Sequence, residues 1–126
     1  MELFISTMLV SFFSVLKKYT EFSGRASRKE FWMFMLCNFI IGVVFGILGR
    51  IPIIGILFKI VLALFTLAVL IPSIAVGIRR LHDTNRSGFF LLLALIPGPG
   101  IVVVLTLCAL EGTSGENQYG PIPQIE

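Results

Sequence analysis

Residues 88–110 read Gly-Phe-Phe-Leu-Leu-Leu-Ala-Leu-Ile-Pro-Gly-Pro-Gly-Ile-Val-Val-Val-Leu-Thr-Leu-Cys-Ala-Leu, 23 positions without a charge. A helix needs about 20 apolar residues to cross the hydrocarbon core of a bilayer, so the stretch is long enough. Pro97-Gly98-Pro99-Gly100 interrupts it, because a proline drives the residue before it, here Ile96 and Gly98, out of α geometry. The pieces 89–96 and 101–110 are each about half a membrane thick. Two courses are open: one crossing broken near the midplane, or a re-entrant hairpin that returns the tail to its own side. The break holds no ionisable residue for an ion. A kink satisfied by neighbouring helices is therefore the simpler expectation than a solute-coordinating discontinuity.

Two more charge-free runs precede it, residues 31–49 and 60–78, each 19 long. Across all 126 residues 56% are hydrophobic and only 13% charged, and the mean hydropathy is +0.98. A soluble domain carries about 25% charged residues, so the polar shell is missing. Disorder is excluded by the apolar content, and a disulfide scaffold by the presence of just two Cys, Cys37 and Cys108. Both cysteines fall in apolar runs, one expected near each membrane face, too far apart to bond.

The first 16 residues form an uncharged stretch only from Leu3 to Leu16, too short to span comfortably. Thr7, Ser11, Ser14, Lys18 and Glu21 recur at steps of three and four, the repeat of one helical face. Leu3, Phe4, Met8, Phe12, Val15, Leu16 and Tyr19 crowd the rest. This predicts an amphipathic helix lying in the interface, with a fourth, short span as the alternative. The fold expected is an all-α membrane protein: an N-terminal amphipathic interfacial helix plus about three transmembrane helices, the third broken at Pro97–Gly100. It is one domain over 1–126, with 1–22 interfacial, spans at 31–49, 60–78 and 88–110, and a polar tail over 111–126.

The net charge is +3. Lys17, Lys18, Arg25, Arg28 and Lys29 precede the first span, and Arg79, Arg80 and Arg86 lie between the second and third. Only Arg50 and Lys59 flank the other loop. That distribution is a topology signal rather than a nucleic-acid face, and it places the N-terminus in the cytoplasm. With three crossings, Glu126 falls in the periplasm.

Ser27-Arg28-Lys29-Glu30 is a capping box at the start of the first span, and Trp32 sits at headgroup depth. Gly42 and Gly46, and Ser73 and Gly77, are small pairs at helical spacing suited to close helix packing, within the chain or between two chains. Pro72 should kink the second span. Arg79-Arg80-Leu81-His82-Asp83 is the densest polar cluster. Adjacent residues on a helix point about 100° apart, so His82 and Asp83 do not make a catalytic pair by themselves. Asp83 is expected to pair with Arg25 or Arg28, and Glu30 to complete its box or reach Arg79 or Arg80. Arg25, Arg28, Glu30, Arg79, Arg80, His82 and Asp83 together form a candidate cluster for lipid or a partner. No catalytic residue, cofactor or metal is assigned.

Tyr19, the run Phe22-Ser-Gly-Arg-Ala-Ser-Arg-Lys-Glu-Phe-Trp32, Arg79-Arg-Leu-His-Asp83, Ser87-Gly88, Pro97, and Gly112 with Gly115-Glu-Asn-Gln-Tyr-Gly-Pro121 resemble the YhaH-like bacterial inner-membrane proteins, domain-of-unknown-function family 805. Phe89-Phe90 departs from the tryptophan that often follows Ser-Gly there. The resemblance implies a small multi-pass inner-membrane protein and supplies no activity. The first expectation for function is a membrane interaction or scaffold protein whose basic cytoplasmic face meets anionic headgroups, a protein partner or a second copy. The alternatives are a small-solute channel or transporter component using the broken third span and, more distantly, a membrane enzyme using His82 and Asp83.

Overall fold

A computed structural model describes residues 1–123; Glu126 lies outside the described residues. The chain is helical: α1 (Glu2–Lys17), α2 (Arg28–Leu48), α3 (Gly55–Asp83), a 3₁₀ segment (Gly88–Leu95) and α4 (Pro99–Ala109). The apolar windows of α2 and α3 are only 17% and 28% buried, whereas a core helix of a soluble protein would be mostly covered. Phe39, Ile47, Leu64, Leu67 and Val102 all point outward, more apolar surface than water tolerates. The fold is that of an all-α membrane protein.

Ser27, in extended geometry, starts α2 by accepting a hydrogen bond from the Glu30 amide at 3.2 Å. α2 and α3 turn back on each other through residues 50–54, with Gly55 pressed so closely on the Gly49 backbone that a Cβ would collide. α3 has 29 residues, about 43 Å, against a hydrocarbon core of about 30 Å. Its final turn, carrying Arg79 to Asp83, therefore has room to stand clear of the apolar layer. Pro72 lies inside α3, which continues through it.

α1 packs along α2 and also touches α3. Phe12 stacks on Phe34 and Phe65, with centroids 5.4 and 6.4 Å away. Phe65 lies 14 residues before Arg79, so α1 runs down the flank of the bundle rather than across its end. Met1 is thereby carried away from the end where Lys17 and Lys18 sit. Its polar stripe turns inward in part: Ser11 is buried and Ser14 donates to Glu30 at 3.4 Å, but Phe12 and Val15 of the expected apolar side are buried with them, and Leu3, Val10 and Phe13 are exposed. In a lipid-bathed helix the Ser14 hydroxyl gains more from a carboxylate inside than from the apolar layer outside.

The apolar run 88–110 takes the hairpin course, not a single crossing. Ser87 caps the 3₁₀ segment by accepting from the Phe89 amide at 3.2 Å. The segment's eight residues rise about 16 Å at 3₁₀ pitch, and the 11 of α4 rise about the same. The arms are thus matched, each half a membrane deep. Gly98 adopts φ +88 at the tip. Gly100 lets α4 lie directly on the Leu93 carbonyl, where a Cβ would collide. Pro97 and Pro99 remove two amide donors from a tip that lipid could not satisfy. The tail consequently emerges at the end where α2 begins and α3 finishes, opposite to the expectation from three crossings. Cys37 and Cys108 are both buried and unbridged; Cys108 lies beside Trp32, at the end where α2 begins rather than at the opposite one.

Of the small pairs, Gly77 packs on Leu91 of the 3₁₀ segment, and Ser73 turns its hydroxyl back to the Val69 carbonyl at 2.6 Å. Gly42 and Gly46 have open space where a Cβ would stand, so they pack no helix of this chain.

Candidate functional site: the polar cap

Three segments distant in sequence meet at the end of the bundle. They are residues 24–30, the last turn of α3, and the tail from Gly112 to Gly120. Backbone bonds set the register. The Ala26 amide donates to the Arg79 carbonyl at 2.9 Å, and the Thr113 amide to the Asp83 carbonyl at 2.7 Å. Asp83 sits at the centre, with Arg25 Nε at 2.9 Å from Oδ1 and Arg80 Nη1 at 2.5 Å from Oδ2. All three side chains are buried.

Two arginines share one carboxylate, and backbone carbonyls stabilise the excess positive charge. Arg25 Nη1 donates to Gly115 (2.5 Å) and Gly120 (3.2 Å), and its Nη2 to Thr113 (2.5 Å). Arg80 donates to Ala26 (3.0 Å), to Cys108 (2.8 Å) and to Leu110. The last two carbonyls belong to the C-terminal end of α4, which has no intrahelical donors for them. Trp32 Nε1 adds a third donor there, 3.3 Å from the Cys108 carbonyl. The planar guanidinium, with five donors in a fixed fork, is the side chain that fits such a task.

A second pair lies beside it. Arg79 Nη1 is 3.2 Å from Glu30 Oε2, which also accepts from Ser14. The reciprocal capping-box bond from the Ser27 amide is absent among the described contacts, because Glu30 is spent on Arg79. Arg79 Nε and Nη2 and Ser11 Oγ are buried without a partner among the described residues. This makes the α1–α3 side the least satisfied part of the cap.

His82 faces the tail. Its ring lies 4.0 Å from that of Tyr119 and within 1° of parallel, and Nδ1 is 2.9 Å from the Gly24 carbonyl. Asn117 binds the tail to α3, donating to the His82 carbonyl at 2.9 Å, and accepts from the Tyr119 amide at 2.8 Å. No group of three metal-ligating side chains occurs among the described residues.

The structure brings Arg25 to Asp83 and Arg79 to Glu30, as the charge pattern suggested, and adds Arg80 to Asp83, where the pattern had offered Arg80 to Glu30. Arg28 does not join; it is exposed, with a 3.5 Å contact to the Ala109 carbonyl. Sequence reasoning missed Thr113, Gly115, Asn117, Tyr119 and Gly120. The segment was assigned only as a polar tail, although it was one of the motifs carrying the family resemblance.

Apolar helices closed at one end by a buried charge network define a small all-α membrane protein. Residues 19–121 match the family described as a protein of unknown function, DUF805, and the chain belongs to that family. It is similar to the inner membrane protein YhaI of Escherichia coli, 46% identical over 90% of this chain and 95% of that one. To the inner membrane protein YhaH of the same organism it is 43% identical, over 91% and 97%. It is 32% identical to the uncharacterized protein YiiR, over 79% and 84%. No solved structure matches. The protein is one of the bacterial inner membrane.

Proposed function

We infer that the chain is a non-catalytic membrane scaffold whose cap faces the cytoplasm and whose basic rim engages anionic lipid headgroups. The observation that carries this is how the charges divide. Arg25, Arg79, Arg80, Glu30 and Asp83 are buried and bonded to one another, so they hold the cap together. Lys17, Arg28 and Lys29 stay exposed at the same end. Eight of the ten Lys and Arg lie at this end or in its loops, with Arg50 and Lys59 at the other, which favours the cytoplasm for it. His82 is engaged by Gly24 and Tyr119 rather than aimed at a nucleophile, which speaks for a structural imidazole.

An exposed Lys or Arg at an anionic surface contributes about 1 kcal/mol, roughly fivefold in lipid partition. Reconstituted in nanodiscs, the protein should enrich fluorescent phosphatidylglycerol over phosphatidylcholine at its perimeter. Arg28→Gln with Lys29→Gln should cut that enrichment by an order of magnitude, and added salt should weaken it. Equal partition of the two lipids around the wild-type protein would overturn the reading.

A further inference from the structure

We propose that α1 carries a seat for one anionic phospholipid, held more tightly than the annular lipids. The inference rests on the reading above for its choice of leaflet. An open groove of about 530 Å³ runs along the outer face of α1. Leu9, Val10 and Phe13 form its apolar part; Ser14, Lys17 and Lys18 close the end nearest the cap. From Ser6 to Lys18 the lining covers 12 residue steps, about 18 Å of helix. One leaflet of hydrocarbon is about 15 Å deep. The groove is therefore one acyl chain long, and its cations stand where that chain's phosphate would lie.

Charge fixes the class of lipid. Lys17 and Lys18 offer two ammonium groups against one exposed carboxylate close by in the chain, Glu21, while Glu30 is buried and paired with Arg79, so the end of the groove keeps a net positive charge. A zwitterionic headgroup would bring its own cation to that place. A net negative one, of the phosphatidylglycerol type, would not. The apolar walls explain why the occupant is a lipid rather than a soluble phosphate, since a free anion would leave Leu9, Val10 and Phe13 uncovered.

The test is native mass spectrometry of the full chain released from detergent after incubation with phosphatidylglycerol or phosphatidylcholine. The wild type should retain one phosphatidylglycerol per chain, and glycerol phosphate should not displace it. Lys17→Gln with Lys18→Gln should lower retention by about tenfold or more. Val10→Trp, which fills the groove and leaves the lysines intact, should lower retention of the chain-bearing lipid equally. Retention unchanged in both variants, displacement by glycerol phosphate, or a dimer mass in place of the lipid adduct would each overturn the proposal. If Arg28→Gln with Lys29→Gln abolishes the adduct and the groove variants do not, the seat is wrong and the basic rim stands. If the wild type prefers phosphatidylglycerol in neither this assay nor the nanodisc assay, both readings fail.

Discussion

Asp83→Asn should lower the thermal unfolding midpoint in detergent by on the order of 10 °C, the largest loss expected from any single change that conserves side-chain shape. Among the described residues Asp83 is the only carboxylate bonded to Arg25 and Arg80, and all three are buried. Removing its charge leaves two guanidinium ions facing a neutral amide. Breaking a buried ion pair by neutralising one partner costs about 3–5 kcal/mol, and in a domain of this size each kcal/mol moves the midpoint by a few degrees. Arg28→Gln removes an exposed group of the same chemistry and should cost no more than about 1 kcal/mol. A double-mutant cycle separates the cases: Asp83→Asn should couple strongly to Arg25→Gln and not to Arg28→Gln. Equal coupling to both would mean that the cap is held by diffuse charge rather than by this geometry.

Gly112→Ala should detach the tail while leaving the helices folded. The Gly112 backbone lies against the Asp83 carboxylate so closely that a Cβ would collide with Oδ2. The carboxylate has no room to yield, because arginines hold both of its oxygens. The tail must lift instead, losing the Thr113–Asp83 backbone bond and the carbonyl contacts of Arg25. Amide hydrogen exchange reads this directly. Protection at Thr113, Asn117 and Gly120 should fall to that of an open segment, with the α2 and α3 amides unaffected. Gly46→Ala is the control, since its Cβ meets nothing within 4 Å and helix propensity favours alanine. Loss of protection in both variants, or in neither, would contradict the tight fit at Gly112.

The two long apolar helices were legible because a charge-free run of 19 residues has few other uses. The ion pairs were legible for a different reason. Asp83 and Glu30 stand at helix ends beside arginines, so their candidate partners could be named, and Ser27 was marked as a cap by Glu30 three residues on. The hairpin was not legible, because Pro97-Gly98-Pro99-Gly100 breaks a helix equally well in a crossing or a reversal. What decides is Gly100 lying on Leu93 and Arg80 collecting the last carbonyls of α4, both tertiary facts. The tail was illegible for a similar reason. Arg25 binds it through carbonyls, which every residue type has, so no side chain announces the contact. On α1 the buried face is mixed: Ser14 turns in to the Glu30 carboxylate, and Ser11 is buried alongside Phe12 and Val15 of the apolar side, a division that periodicity alone does not assign.

The central claim is that the start of α2, the end of α3 and the tail form one unit on one face of the membrane. Single cysteines at two exposed positions test it most directly: Lys29→Cys beside α2 and Glu116→Cys in the tail, each in a background with Cys37 and Cys108 replaced by alanine. Intact spheroplasts are treated with a membrane-impermeant maleimide, and again after permeabilisation. Both positions should be silent in intact cells and react fully once the membrane is opened. Labelling of Glu116→Cys in intact spheroplasts, with Lys29→Cys still protected, would put the tail across the bilayer and contradict the hairpin and the cap together.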